Sequence, residues 1–232
     1  MLRFDIGKAT LTIMTAEQSS HDMRQRILDE SARLFSQDGI ASTSMRQIAK
    51  ECGIQAGSLY YHFKSKDEII AEVLELGISF VADAVKAELE KLDGSAGFRE
   101  LFHAAVLAHL NAFFLHRNYT ATHIREFKQA PASTRIKNIK TRDAYEQLWA
   151  DLFAKGVSEG VLATDIDLRF ARLLLLSSMN WALEWFKPKG QRSFDELTVT
   201  IVRIFLDGCT ARAASTQEDS PAAGSKQVVH SN

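Results

Sequence analysis

Large apolar side chains recur along this chain at spacings of three, four and seven, and they never alternate with polar ones for long enough to make a strand. Met23, Ile27, Leu28, Leu34 and Phe35 form one such stripe and predict a first helix over about 22–37. Gly39 follows where a helix end needs a left-handed residue, and Ile40 is placed to pack back on the last turn. Ser44 and Gln47, three apart, have the spacing of a capping box, so a second and short helix opens there and ends at Gly53. A third helix covers about 58–63. Ser65 and Glu68 form a second box at the head of a long helix reaching about Leu92. Farther on, helices are predicted over about 97–116, 121–128, 131–158, 167–186 and 193–211, the last opened by a third box, Ser193 with Glu196. The pattern predicts an all-α fold of about nine helices.

The ends differ from the middle. Residues 1–20 lack caps and periodicity and are expected to be a flexible arm, with Met14 and Met23 as alternative starts. Residues 214–232, rich in Ser, Ala, Gln and Gly, cannot bury enough surface to offset ordering and are expected to be disordered. Between them the pattern divides into a three-helix unit, 21–67, and a larger helical domain, 68–213.

Composition changes this picture little. The 232 residues carry a net charge of −1, so any affinity for nucleic acid has to come from a local surface. Cys52 and Cys209 lie far apart among apolar neighbours and are expected to be small buried hydrophobes. No run reaches the roughly 18 apolar residues of a membrane span. The start lacks a signal-peptide core. A cytoplasmic location is therefore expected, with no membrane partner. The GxGxxG, GxSxG, HExxH and phosphate-loop patterns are absent, and the carboxylates are scattered, which argues against an enzyme. His109, His116 and His123 fall seven apart, about 10.5 Å along a helix, too far for two of them to share one ion. No metal or cofactor is implied.

Two short helices joined by a glycine-containing turn are the geometry of helix-turn-helix DNA readers. Ile48, Ala49, Cys52, Ile54, Leu59 and Phe63 supply a small core for the unit. That leaves Thr43, Ser44, Arg46, Gln47, Gln55, Ala56, Gly57, Ser58, Tyr60, Tyr61, His62 and Lys66 to face outward, a set of hydroxyls, helix-start amides and cations suited to phosphates. Arg46, Gln47, Gln55 and Ala56 are where base-edge contacts would arise. Over 21–67 seven cations face six anions, so the unit carries only +1 and needs a dimer to double its contacts.

Across Ser44–Glu68 the chain reads SMRQIAKECGIQAGSLYYHFKSKDE, and over residues 22–70 it resembles the signature of the TetR family of transcriptional regulators. The resemblance implies an N-terminal helix-turn-helix DNA-binding domain joined to a C-terminal helical domain for effector binding and dimerisation. It also implies that Lys66, Tyr61 and His62 meet the DNA backbone. Lys66 in a first turn opposes the helix dipole, and a phosphate nearby would reverse that balance.

In the larger domain the segment 170–186 is apolar around its whole circumference, and the last helix is similar. Such helices must be buried on all sides, and in TetR-like proteins the final two build a homodimer interface. That predicts an approximately palindromic double-stranded operator. Asn180, Trp181 and Trp185 loosely resemble a stretch of TetR-type regulators responding to acyl-CoA thioesters in lipid and steroid breakdown. With Phe114, Phe127 and Trp149 they are the candidate contacts for a small apolar, acyl-CoA-like effector, and Arg125, Lys128, Arg169 and Arg172 are cations for its phosphates. The function implied is a ligand-responsive repressor. The alternative is a helical small-molecule-binding protein or enzyme that has kept the helix-turn-helix shape without operator binding.

Overall fold

Gly39 ends the first helix as its position requires: it adopts φ +83°, and its N–H donates to the Phe35 carbonyl at 3.1 Å. A computed structural model describes residues 6–92, 94–187 and 192–209. Among them the elements run α1 (Ile6–Asp38), α2 (Met45–Glu51), α3 (Ala56–His62), α4 (Lys66–Lys91), α5 (Phe98–Leu115), α6 (Arg117–Glu126), α7 (Ala132–Ser158), α8 (Leu168–Trp185) and α9 (Phe194–Cys209). A 3-10 turn, Phe127–Gln129, follows α6. No strand occurs among the described residues.

Two boundaries differ from the sequence reading by more than two residues. Helix α1 starts at Ile6, not near Asp22. The stretch ahead of Asp22 contains no proline, and weak periodicity bears on burial rather than on backbone conformation. Helix α6 starts at Arg117, not near Ala121, because the break after α5 is confined to His116 (φ −103°, ψ 35°). The Thr120 hydroxyl spans it by donating to the Phe113 carbonyl at 2.8 Å. The expected tail 214–232, the stretch 188–191 and the Cys209 side chain lie outside the described residues.

The three capping boxes form to different degrees. Ser193 and Glu196 make both bonds, at 2.8 and 3.2 Å. Ser44 and Ser65 accept from the N–H groups of Gln47 and Glu68, each at 3.2 Å. The return bonds differ: the Gln47 amide turns to Asp38, and the Glu68 carboxylate accepts from the Lys64 N–H.

Two cores result, and α4 belongs to both. Ile27, Phe35, Ile48, Leu59 and Phe63 pack with Ile69, Val73 and Leu74 from the first half of α4, and Tyr119 of α6 closes that core. Val81 and Val85 from its second half join Phe98, Phe102, Trp149, Phe153, Leu175 and Met179. Cys52 is buried in the first core, and burial pushes its thiol up to about 11, so it acts as a small hydrophobe. Helix α8 is apolar all round in sequence yet two-sided in the fold. Ala171, Leu175, Met179 and Leu183 enter the core, whereas Phe170, Leu174, Trp181 and Trp185 are exposed. No described helix is long and apolar enough to cross a membrane.

Candidate functional site

Helices α2 and α3 meet through the turn at Gly53 (φ +66°), where any other residue would be strained. Their inner faces are spent on Ile48, Ala49 and Leu59. The outer surface therefore carries Ser44, Arg46, Gln55, Ala56, Gly57, Ser58, Tyr60 and Tyr61, all exposed, and Tyr61 is 81% accessible. Gln47, His62 and Lys66 are half-buried. Nothing lies within 4 Å of where a Cβ would stand on Gly57, so the start of α3 is open to a close-approaching backbone.

Thr43 is the exception to the outward set. It is 1% exposed, and its hydroxyl donates to the Gly39 carbonyl at 3.0 Å. The α1–α2 turn folds over this side chain, so it fastens the turn and presents nothing to solvent. Lys66 serves the same turn: its Nζ donates to the Ile40 and Thr43 carbonyls, each at 2.8 Å. Those two carbonyl oxygens account for a cation in the first turn of α4. Two other cations are engaged within the protein. Arg24 pairs with Glu72 and lies 4.5 Å over the Phe63 ring, and Arg33 bridges Glu30 and Glu51, each at 2.8 Å. Arg26, Arg46, Lys50 and Lys64 remain exposed on the unit.

The larger domain holds a partly open pocket of about 190 Å³. Five helices line it: Gly77, Ile78 and Val81 of α4, His109 and Phe113 of α5, Thr120, His123 and Ile124 of α6, Arg142, Tyr145 and Glu146 of α7, and Leu173, Leu176, Ser177 and Asn180 of α8. Of the six candidate effector contacts, only Asn180 is in this wall. Trp149 is fully buried behind it, edge-on to Tyr145 and to His109. Phe114 packs on Phe186 and Phe194, Phe127 lies under the Arg142 guanidinium, and Trp181 and Trp185 face solvent. Of the four cations considered for phosphates, Arg125 pairs with Glu184, and the Arg172 Nε is buried without a hydrogen bond.

The sequence pattern marks Tyr145 only as one of several central aromatics suited to an apolar pocket, and it does not mark His109 or the Arg142–Glu146 pair as effector contacts. His109 was weighed only for metal, and no group of metal-ligating side chains exists among the described residues. His109 Nδ1 lies 2.7 Å from the Tyr145 hydroxyl. Burial pushes the imidazole down to about 3, only partly offset by the nearby Asn180 side chain, so the ring is neutral. Burial likewise lowers His123, whose Nδ1–H donates to the Leu74 carbonyl at 2.8 Å.

Helix α6 joins this cavity to the three-helix unit. One face supplies cavity wall; the other is bonded to α1 and to the turn after it. The Tyr119 hydroxyl donates to Asp29 at 2.6 Å, the Thr122 hydroxyl contacts the Ala32 carbonyl at 3.2 Å, and the Glu126 carboxylate accepts from the Ile40 N–H at 2.9 Å. Opposite, Gly77 lets α4 approach closely: a Cβ there would fall 2.6 Å from the Tyr119 carbonyl oxygen and 2.9 Å from the His123 Cβ.

Residues 27–73 match the model of the bacterial regulatory proteins, tetR family, and residues 95–209 match the tetracyclin repressor-like C-terminal domain. The HTH-type transcriptional repressor KstR2 of Rhodococcus jostii (strain RHA1) is 29% identical over 186 residues, which is 80% of this chain and 90% of the relative. The structure of the ketosteroid transcriptional regulator KstR2 of Mycobacterium tuberculosis has the same fold, with a TM-score of 0.72, 23% identity, and coverage of 82% of this chain and 95% of that one. The fold also matches AibR in complex with isovaleryl coenzyme A and operator DNA, with a TM-score of 0.67, 20% identity, and coverage of 78% and 97%.

Proposed function

The chain belongs to the TetR family of transcriptional regulators, and from that premise we propose that it is a repressor released from its operator by a small apolar effector. The family and the relatives above are regulators and not enzymes. The observation that carries the proposal is the pairing of two features through one helix. Helix α6 lines the pocket on one face and on the other is bonded to α1 and to the turn that leads into the exposed polar surface of α2–α3. A molecule that shifts α6 from the cavity side acts directly on the turn that positions α2.

In this reading Ser44, Gly57, Ser58, Tyr60, Tyr61 and His62 meet the sugar–phosphate backbone, and Arg46, Gln47, Gln55 and Ala56 reach base edges in the major groove. Lys66 has three donors and spends two on the α1–α2 turn, leaving one for a phosphate. The chain acts in the cytoplasm as a homodimer through α8 and α9 on an approximately palindromic site.

The effector is an acyl thioester of coenzyme A. AibR carries isovaleryl coenzyme A together with operator DNA on this fold. A cavity of about 190 Å³ takes a short acyl end and leaves the coenzyme outside. A bulkier fatty or steroid-derived group has to push the five helices apart, which is the motion that release requires. The test is a gel shift on the DNA upstream of the gene, with acyl-CoAs of increasing size beside free CoA and free acids. Release by one size class of thioester is expected. Release only by molecules of another kind removes the effector class, and no binding to any upstream DNA removes the repressor reading.

A further inference from the structure

We infer that His109, held by Tyr145, is the specificity-determining donor of the cavity, and that the cavity takes a neutral apolar molecule through a hydrogen-bond-accepting carbonyl oxygen. This rests on the effector reading of the cavity and specifies the chemistry that the cavity selects.

The argument begins with the tautomer. The Tyr145 hydroxyl and His109 Nδ1 are 2.7 Å apart, with both side chains buried. Burial raises the phenol above its usual range, so it keeps its proton. The Trp149 indole beside the phenol is only a donor. Among the described residues Nδ1 is thus the acceptor for the Tyr145 O–H, and the imidazole proton sits on Nε2. Phe113 stacks on the ring at 5.3 Å and 24° and fixes its plane.

That Nε2–H is buried and makes no hydrogen bond of normal geometry among the described residues, in a side chain 2% exposed that lines the cavity; the Asn180 side chain is a polar neighbour of the ring. A buried donor without a partner is costly and rare, and an acceptor brought by a ligand removes the cost. The Asn180 amide lies in the same wall and offers a second donor. The ligand's charge follows from the neighbours. His109 is neutral, and the one guanidinium in the wall, Arg142, stands 3.7 Å from the Glu146 carboxylate with its Nε–H buried and without a hydrogen bond, so the wall offers unpartnered donors beside a carboxylate that would repel an anion. A carbonyl oxygen fits. The size follows from the volume: about 190 Å³ exceeds the roughly 150 Å³ apolar cavity that holds benzene, leaving room for one ring or short chain plus a carbonyl.

The probes are acetophenone, its isosteric hydrocarbon isopropylbenzene, and benzoate, titrated into the full chain by calorimetry and followed by NMR. Acetophenone is expected to bind about tenfold more tightly than isopropylbenzene, as one satisfied donor predicts. His109→Phe should bring acetophenone down to the hydrocarbon's affinity while leaving isopropylbenzene unchanged. Tyr145→Phe keeps the ring packing but frees the tautomer, and it should narrow the gap. His109→Gln retains a donor and should keep part of the preference. These two variants carry the test if His109→Phe does not fold. Equal affinity for acetophenone and isopropylbenzene, or benzoate binding as tightly as acetophenone, overturns the inference and leaves the cavity standing as an effector site. Binding of none of the three overturns both.

Discussion

Side chains that leave the surface of α2 and α3 have no task inside the protein, and this separates them from their neighbours. Tyr61 is almost wholly accessible, while Thr43, a few residues before α2, is turned into the α1–α2 turn. Tyr61→Phe, which removes one hydroxyl from an exposed ring, should weaken binding to operator and random DNA alike by about 1 kcal/mol without changing thermal stability. Arg46→Ala should instead relax the preference for operator over random DNA by about 1–3 kcal/mol. Equal loss on both DNAs for Arg46→Ala would move it to the backbone set. Both are read by fluorescence anisotropy at fixed salt. Outward and inward hydroxyls cannot be told apart in sequence, because Thr43 and Ser44 differ only by one place beside a turn. Lys66 was legible as an anomaly, but the two carbonyls that hold it come from residues more than twenty positions earlier. At the other site, His109 makes the fold pH-sensitive. Its folded pKa of about 3 lies below the unfolded value of about 6.5. Above pH 6.5 both states are neutral and the group contributes nothing. As pH falls from 6.5 towards 3 only the unfolded chain takes up the proton, so stability is lost. Urea unfolding at pH 7 and pH 5 should show a drop that His109→Gln reduces by up to about 2 kcal/mol, and an unchanged drop would mean that His109 is already protonated or exposed.

Helices were the most legible level, for physical reasons that also mark where legibility stops. Glycines and caps act locally, so the ends of α1, α2, α4 and α9 could be read from Gly39, Gly53, Ser65 and Ser193. The break between α5 and α6 is read in its correct place after α5 but too wide, because it carries no glycine or proline to mark its extent and is held by one threonine hydroxyl. The cavity was legible only through Asn180, because an amide among leucines needs a partner wherever it sits. Aromatic residues were poor guides: Trp149 fills core and Trp181 meets solvent, and periodicity cannot separate a core ring from a ring on an uncovered face. Gly77 shows what contact between helices adds. As a glycine within α4 it costs helix propensity, and only the approach of α6 explains it. Gly77→Ala gains propensity but forces its methyl against the Tyr119 carbonyl and His123. Net destabilisation of about 1–3 kcal/mol is expected, as for overpacked sites. A stabilised variant by thermal denaturation would mean that α4 and α6 are not tightly apposed.

The whole molecule has one surface that the single chain leaves unexplained. On α8, Phe170, Leu174, Trp181 and Trp185 fall on one outward face, interrupted only by Ser177 and Ser178, and α9 adds Val199 and Ile204. Trp181 and Leu174 are each 67% exposed, which is unusual for such large groups clustered on two consecutive helices. A second copy of the chain placed across a two-fold axis would cover this face with the same face. The weak charge of the DNA-reading unit makes the same demand from the other end. With Arg24 and Arg33 spent on internal pairs, one unit has few cations left for phosphates, so the proposed operator binding calls for two units bound at once. The proposed dimer would therefore link assembly to DNA binding although α8 and the α2–α3 surface share no side chains. Trp181→Glu, at an exposed position, should leave the helical content and the cavity intact, convert a dimer to a monomer in sedimentation velocity at micromolar concentration, and roughly halve the dependence of log affinity on log salt. The paired readouts separate the possible outcomes. A variant that becomes monomeric but holds its operator with an unchanged salt slope refutes the need for two reading units. A variant that remains dimeric places the interface elsewhere and leaves the apolar face of α8 to another partner.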